Sequence, residues 1–170
     1  CLSGIKALDP DTDIVAFLDG DYSDYPQELS YIIRPLVHEA CDMVIGSRLL
    51  SFENRASFSR LNWFGNRLVC RFINFFFGTC YTDLGPFRAL RSQSLKRLRM
   101  RDTNFGWTVE MQIKAALCGF RIKEVPVTYR KRLGKSKVTG TLSGSIRALA
   151  KISYTVSKYV LLSRYPRHKI

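Results

Sequence analysis

The sequence predicts an α/β fold in which a mostly parallel sheet is flanked by helices. Two short runs, 14–18 and 42–48, are rich in apolar residues and end in turn or polar residues, as strands inside a sheet do. The first run does not alternate between apolar and polar positions, so both of its faces are expected to be covered. Longer segments with apolar residues at helical spacing separate and follow these strands, and we expect them to cover the sheet.

Two carboxylates, Asp19 and Asp21, follow the first predicted strand and are separated by one glycine. In open α/β sheets ligands gather at the carboxyl ends of strands, and residues i and i+2 of an extended chain point the same way. Both carboxylates can therefore face one cation, and such hard oxygen ligands suit Mg²⁺ or Mn²⁺. The alternative is a solvated turn, because the same residue types are good turn formers.

The composition indicates a globular domain with an anionic partner. The chain has 170 residues, of which 46% are hydrophobic, so it can bury a core and is not disordered. A net charge of +13 suits nucleic acid, an anionic membrane surface or a phosphorylated substrate. No apolar run is long enough to span a bilayer. The five cysteines are scattered and lack metal-binding spacing, so we expect reduced thiols in a protein that faces the cytosol.

The second strand leads to a candidate phosphate ligand. Arg48 follows Gly46 and Ser47, so its guanidinium is expected at the same sheet edge as the two aspartates. The alternative is an ordinary surface arginine. Between the two strands we expect a helix, with Asp24 as its N-cap and Pro35 as a position that can kink or interrupt it.

A long helix with an aromatic stripe is predicted after a polar segment at 50–59, which we expect to be a mobile loop beside the site. Packing against the sheet explains most of the stripe, and a membrane-facing surface is the alternative for the remainder. The stripe comprises Leu61, Phe64, Leu68, Phe72, Phe75 and Phe76. Turn residues at 82–88 then end the helix, and within them Asp83 and Arg88 are either structural partners or groups offered to a ligand.

The last third of the chain contributes further candidates. Glu110 lies early in a predicted helix at 109–117, near Trp107, where a carboxylate beside an aromatic ring suits sugar hydroxyls but can also be a solvated helix acid. A strand is expected within 121–130. The basic tract 130–137 contains glycine and serine, which give the backbone freedom that cradles phosphate. A basic amphipathic helix is predicted at 143–162, and it either docks on the sheet or lies in a membrane interface.

We divide the chain into a main domain, 1–140, and a basic amphipathic helix and tail, 141–170, with partial membrane contact. Only about a dozen residues precede the first strand, which needs partners on both edges. We therefore expect further strands upstream of this sequence.

Several motifs occur in the same order as in a known enzyme family. They resemble family 2 glycosyltransferases with the GT-A fold, and the branch they resemble most is the dolichyl- or polyprenyl-phosphate sugar synthases. The motifs are Asp19-Gly20-Asp21 before Pro26, Gly46-Ser47-Arg48, Asn66 in a Phe-rich helix, Asp83 to Arg88, Trp107-Thr108-Val109-Glu110, Glu124-Val125-Pro126-Val127 and Arg132 to Lys137.

This resemblance implies a partial GT-A domain that lacks the upstream nucleotide-binding half. It implies transfer of a sugar, with inversion, from a nucleotide diphosphate to an acceptor that is often a lipid phosphate. Asp19 and Asp21 would hold Mg²⁺ or Mn²⁺ against the donor diphosphate. Asp83 and Glu110 are the implied catalytic carboxylates, one of which would take the proton of a hydroxyl acceptor, and they would line the sugar and acceptor pocket with Arg88 and Trp107. The implied phosphate-binding residues are Arg48, Arg130, Arg132, Ser136 and Lys137.

The resemblance also sets expectations about partners and location. A nucleotide-sugar donor and a lipid-phosphate or other acceptor are expected, at the cytoplasmic face of a membrane, and no nucleic acid. The 170 residues alone are expected to be inactive. The competing interpretation is a non-enzymatic module that binds nucleic acid or an anionic membrane through its positive charge.

Overall fold

The structure is a computed structural model that describes residues 1–51, 54, 60–104, 106–130 and 142–164. The strands of this part of the chain are β1 (Ile14–Phe17), β2 (Met43–Ser47), β3 (Arg88–Arg91) and β4 (Ile122–Pro126). Its α-helices are α1 (Leu2–Lys6), α2 (Leu29–His38), α3 (Arg60–Phe77), α4 (Ser92–Leu98), α5 (Trp107–Leu117) and α6 (Leu142–Arg164), and a 3₁₀ turn, Pro26–Glu28, precedes α2.

The described strands form one sheet in the order β1-β3-β2-β4. Strand β3 runs antiparallel to both β1 and β2, whereas β4 is parallel to β2. Strands β1, β2 and β4 therefore share one direction and β3 is reversed among them. The α/β class and the flanking helices are confirmed, and the sheet is mixed. Contrary to expectation, the described neighbour of β1 is antiparallel.

Strand β3 was not predicted, although it lies between β1 and β2. Only two apolar residues, Ala89 and Leu90, stand between arginines at its ends, so the segment shows no apolar run. The segment is nevertheless a strand that is covered on both faces. Ala89 and Leu90 point to opposite sides of the sheet, and both side chains are fully buried.

Two hydrophobic clusters cover the two faces of the sheet. On one face, Ile32 and Leu36 of α2 pack with Val44 of β2. On the other face, residues of β1, β2 and β3 pack against α3, α4, α5 and α6. The fold is therefore a sheet between two helical layers, the usual arrangement of its class. Helix α2 runs through Pro35 without interruption.

Helix α3 packs through a different face from the one expected. Val69, Cys70 and Ile73 are buried in the core, whereas the described residues of the predicted aromatic stripe are exposed to solvent. The exposed large hydrophobic side chains of α3 are Trp63, Phe64, Leu68, Phe72, Phe75 and Phe76. The core-packing interpretation was therefore wrong for the five stripe residues among them, Phe64, Leu68, Phe72, Phe75 and Phe76. The side chain of Leu61 lies outside what the structure describes. The helical period separates a stripe at 64, 68, 72 and 75 from one at 69, 70 and 73.

Helix α6 confirms the helical pattern predicted at 143–162. Its residues Val156 and Tyr159 belong to the same core cluster as the sheet residues, and the proposed boundary at 140 stays a prediction. Among the described helices, none combines the length and the hydropathy that a membrane crossing requires. The predicted mobile loop at 50–59 lies largely outside the described residues.

A close backbone approach joins the loop at 82–87 to the end of β2. The Gly46 amide donates to the carbonyl of Phe87 at 2.8 Å. A Cβ atom added to Gly85 would lie 2.3 Å from the carbonyl oxygen of Gly46. Since that atom belongs to backbone at the end of a fully buried strand, it cannot move aside cheaply.

We predict that Gly85→Ala lowers the free energy of unfolding by about 1–3 kcal/mol because the added methyl group separates the loop from β2. The measurement is urea unfolding of the full-length protein. Gly65→Ala in α3 is the matched control, because its new Cβ meets nothing within 4 Å and helix propensity favours alanine by about 0.5–1 kcal/mol. Equal midpoints for wild type and Gly85→Ala would contradict the close approach.

Candidate functional site

The acidic turn, residues 19–24, follows β1 and is held by its own side chains. The Asp19 amide donates to Asp24 Oδ2 at 2.9 Å, and the Ser23 amide donates to Asp21 Oδ1 at 3.1 Å. The Ser23 hydroxyl is hydrogen-bonded to the same Asp21 oxygen. Asp24 is therefore not the predicted N-cap: its side chain is buried and closes the acidic turn back onto Asp19.

The electrostatics of Asp24 show which groups surround it. Burial raises the pKa of the Asp24 carboxyl above its ordinary value. The hydrogen bond from the Asp19 amide opposes this change, the charges of Asp19 and Asp21 add to it, and the charge of Arg48 lowers the pKa. The topology places these groups at one end of the sheet, because β1 and β2 share one direction on either side of β3 and Asp19, Asp21 and Arg48 follow their carboxyl ends. The structure brings the predicted metal ligands and the predicted phosphate ligand of β2 to the same sheet edge.

Arg48 forms a buried ion pair with Asp83. Its amide and its Nε atom both donate to Asp83 Oδ2 at 2.8 Å, and its Nη2 atom donates to Oδ1 at 2.8 Å. Asp83 is fully buried. Burial acts to lower the pKa of Arg48, but the charge and hydrogen bonds of Asp83 outweigh it and raise the pKa. The Arg48 guanidinium also lies 5.1 Å from the centre of the Tyr129 ring.

Glu124 of β4 fixes the start of the loop that carries Asp83. It accepts hydrogen bonds from the Thr82 amide at 3.0 Å and from the Thr82 hydroxyl at 2.6 Å. The Thr82 hydroxyl also lies 2.6 Å from the hydroxyl of Ser47. Because an ionised carboxylate only accepts, the Thr82 proton points to Glu124, and Ser47 must donate to Thr82. Burial raises the pKa of Glu124.

Two further side chains hold the same loop. Gln112 of α5 donates to the carbonyl of Asp83 at 2.9 Å, and Asn66 of α3 accepts from the Leu84 amide at 3.0 Å. Analysis of the sequence gave no role to Ser47, Gln112 or Glu124. Ser47 and Glu124 lie within two of the motifs that support the family resemblance, but nothing in the sequence pointed to their partners.

Arg88, predicted to line the sugar and acceptor pocket, is fully buried beneath the loop at 82–87. Its Nε donates to the carbonyl of Gly85 at 2.9 Å, Nη1 to that of Thr108 at 3.1 Å, and Nη2 to that of Leu84 at 3.1 Å. Burial lowers its pKa to about 10. The guanidinium joins the loop to the start of α5, and the place of Arg88 in a sugar and acceptor pocket stays a prediction.

Trp107, the first residue of α5, packs beside the end of β1. Its ring meets that of Phe17 edge to face, with 6.0 Å between the ring centres. Phe17 precedes Asp19 by two residues, so the Trp107 ring lies near the acidic turn. The predicted contact with sugar stays a prediction.

Glu110 lies in a separate polar cluster between α5 and α6. It forms a 2.8 Å ion pair with Lys114 and accepts hydrogen bonds from the Tyr159 hydroxyl at 2.9 Å and the Asp102 amide at 2.7 Å. Burial acts to raise its pKa, but these bonds outweigh it and hold the pKa of Glu110 below its ordinary value.

The position of Glu110 on α5 explains its separation from Asp83. Gln112, which contacts the loop at 82–87, is two residues further along α5. Its side chain is therefore about 200° around the helix axis from that of Glu110, on nearly the opposite side. The structure therefore does not place Glu110 beside the Arg48–Asp83 pair. Its described contacts join α5 to α6, and the predicted catalytic role remains untested.

The carboxylates of the acidic turn are of the ligand type that hard divalent cations prefer. Among the described residues, no group of three or more His, Cys, Asp or Glu side chains is arranged to hold a metal. Two carboxylates nevertheless suffice for Mg²⁺ when water and substrate phosphates complete its shell. Asp24 Oδ1 is buried and lacks a hydrogen-bond partner within the described chain, which leaves negative potential close to Asp19.

Arg130 is the described member of the predicted phosphate-binding tract. Its guanidinium lies over the Tyr22 ring, 3.1 Å from the ring centre, and 4.2 Å from the centre of the Tyr25 ring. It therefore contacts the acidic turn. The other predicted members, Arg132, Ser136 and Lys137, lie outside the described residues.

Comparison with known proteins identifies relatives of one activity class. A dolichyl-phosphate hexose transferase of Haloferax volcanii is 31% identical over 139 residues, which cover 81% of this chain and 59% of the relative. An undecaprenyl-phosphate mannosyltransferase of Micrococcus luteus is 29% identical over 141 residues, covering 78% and 56%. Glycosyltransferase AglJ of Haloferax volcanii is 33% identical over 119 residues, covering 69% and 39%. No family model matches the chain.

The chain thus spans less than three-fifths of the length of the relatives just named. The similarity favours the transferase interpretation over that of a non-enzymatic binding module. It agrees with the mixed α/β sheet, which is compatible with part of a GT-A fold. The chain is a homologue of glycosyltransferases, and its resemblance to the family 2 enzymes that transfer sugars to polyprenyl phosphates is confirmed.

Proposed function

We propose that the protein transfers a sugar from a nucleotide diphosphate to a polyprenyl phosphate lipid, with inversion and with the help of Mg²⁺ or Mn²⁺. The observation that carries the proposal is the convergence of opposite charges at one sheet edge. Asp19 and Asp21 follow β1 and Arg48 follows β2, and these two strands share one direction and lie on either side of β3. Such an edge can bind a metal and a diphosphate side by side.

The proposed reaction needs stabilisation of a leaving group. An oxygen of the acceptor phosphate forms a bond to the anomeric carbon, and the bond from that carbon to the donor diphosphate breaks with its electron pair. When bound, the metal stabilises the charge that develops on the diphosphate. Asp19 and Asp21 would hold it, and the fixed guanidinium of Arg48 adds a positive charge at the same edge.

The pairing of Asp83 favours a phosphate acceptor over a hydroxyl acceptor. A hydroxyl must lose its proton, and a general base has to accept it. Both oxygens of Asp83 already accept hydrogen bonds from Arg48 and the side chain is fully buried, so this carboxylate is engaged by its ion pair and is not presented to an acceptor hydroxyl. A phosphate acceptor is already an anion, so its attack needs no strong base. The names of two relatives, which specify dolichyl phosphate and undecaprenyl phosphate, support this acceptor class.

The exposed face of α3 supports contact with the membrane that holds such a lipid. Phe75 is 81% exposed and Phe64 is 61% exposed, and Phe72 lies on the same stripe. Arg67 and Arg71 are exposed on the same helix, which favours an anionic lipid surface. We propose that the protein acts as a peripheral protein at the cytoplasmic face.

The metal site is tested by Asp21→Ala. We predict that Mn²⁺-dependent binding of a nucleotide diphosphate sugar weakens at least about tenfold, because one of two carboxylate ligands is lost. The measurement is calorimetric titration of the full-length protein with UDP- and GDP-sugars, with and without EDTA. Asp11→Ala, an exposed acid outside the acidic turn, is the control and should bind as wild type does. Binding that survives both Asp21→Ala and EDTA would refute the metal site.

Membrane contact is tested by the double substitution Phe72→Ser with Phe75→Ser. We predict at least about tenfold weaker binding, because each buried ring contributes roughly 1.5–3 kcal/mol. The measurement is co-sedimentation with vesicles that contain one third anionic lipid. Tyr31→Ser is the control, because Tyr31 is 59% exposed on α2, across the sheet. If both variants bound as wild type does, α3 would not be the membrane surface.

A further inference from the structure

Arg130 makes an unusual set of contacts with the acidic turn. Its amide donates to the carbonyl of Ser23 at 3.1 Å. Its Nε atom donates to the carbonyl of Tyr22, and its Nη2 atom donates to that of Asp24 at 3.4 Å. Three successive carbonyl groups therefore accept hydrogen bonds from one residue that is more than a hundred positions away in the chain.

The aromatic rings on either side of these carbonyls complete the contact. The guanidinium lies over Tyr22 and also over Tyr25, at 3.1 and 4.2 Å from the two ring centres. A planar guanidinium can stack on rings and donate in its plane at the same time, whereas an ammonium cannot. The arrangement therefore depends on arginine and not on positive charge alone.

The backbone that Arg130 contacts is strained. Tyr22 has a φ of +70°, in the left-handed region that side chains other than glycine rarely adopt. Tyr22 directly follows Asp21, so rotation of its backbone toward an ordinary conformation would change the direction of the chain next to that carboxylate. Strain of this kind persists only where surrounding contacts hold it, and the Nε of Arg130 donates to the Tyr22 carbonyl itself.

We propose that Arg130 is a positioning residue that clamps the acidic turn and so holds Asp19 and Asp21 in the arrangement that binds the cation. The inference rests on the proposed function, since the cation site belongs to it. It assigns Arg130 a different role from the phosphate contact that the sequence suggested. In this role the guanidinium acts through the backbone at 22–24 and does not touch the substrate.

The two roles differ in their response to Arg130→Lys. Lysine keeps the charge, so a residue that only attracts phosphate would lose little. A clamp loses its planar fork and its stacking with either Lys or Ala. Arg121→Ala provides the matched control, because the Arg121 side chain is 67% exposed and its ion pair with Asp42 is long, at 3.7 Å.

The experiment measures two quantities on the full-length protein and its variants. Hydrogen exchange of peptides that cover 19–25 reports on the acidic turn itself, and Mn²⁺ titration followed by electron paramagnetic resonance reports on the cation site. We expect Arg130→Lys and Arg130→Ala both to speed exchange in this peptide and to weaken Mn²⁺ binding about tenfold, as loss of an outer support typically does. Arg121→Ala should change neither quantity.

Three results would overturn the inference while the proposed function stands: unchanged exchange in both Arg130 variants, faster exchange with unchanged Mn²⁺ affinity, or a loss in Arg130→Ala that Arg130→Lys fully restores. A wild-type protein that binds no Mn²⁺ would instead refute the proposed metal site, and with it this role of Arg130. The two failures are therefore distinguishable by the behaviour of the wild-type protein.

Discussion

The ion pair between Arg48 and Asp83 is the interaction on which the candidate site depends. It joins the end of β2 to the loop at 82–87 through three hydrogen bonds of 2.8 Å, and the Asp83 side chain is fully buried. A buried carboxylate without its partner is costly, so neither residue can leave the other in the folded state. Glu124, Gln112 and Asn66 hold the same loop from three other elements. The position of the Arg48 guanidinium relative to the acidic turn follows from this pairing.

The sequence was informative where a single segment contained the whole signal. The apolar run that ends in Asp19 and Asp21, the strand before Arg48 and the helix before Gly119 each show their period and their end within about a dozen residues, and the structure confirms all three elements. The convergence of the two strand ends was also predictable, because the carboxyl ends of strands that share a direction meet at one edge of a sheet.

The sequence was uninformative where a residue's role is set by a distant partner. Arg88 is of a residue type that often binds ligands, yet its guanidinium donates to the backbone carbonyl groups of residues 84, 85 and 108. Glu110 lies near Trp107 early in a helix, where a site residue was expected, but its carboxylate pairs with Lys114 and accepts a hydrogen bond from Tyr159. The apolar positions of α3 fit two helical faces, and hydrophobicity alone did not show that the one at 69, 70 and 73 packs inward. Such choices depend on tertiary packing, which local periodicity does not encode.

The most direct test of this account is a double-mutant cycle on the Arg48–Asp83 pair, read by urea unfolding of the full-length protein. The cycle uses Arg48→Ala, Asp83→Ala and the double variant. We predict that each single variant loses about 3–5 kcal/mol, because it removes the ion-pair partner of a buried charge. The double variant should lose less than the sum, by at least about 1.5 kcal/mol. Strictly additive losses would show that the two residues do not interact in solution and would contradict the account.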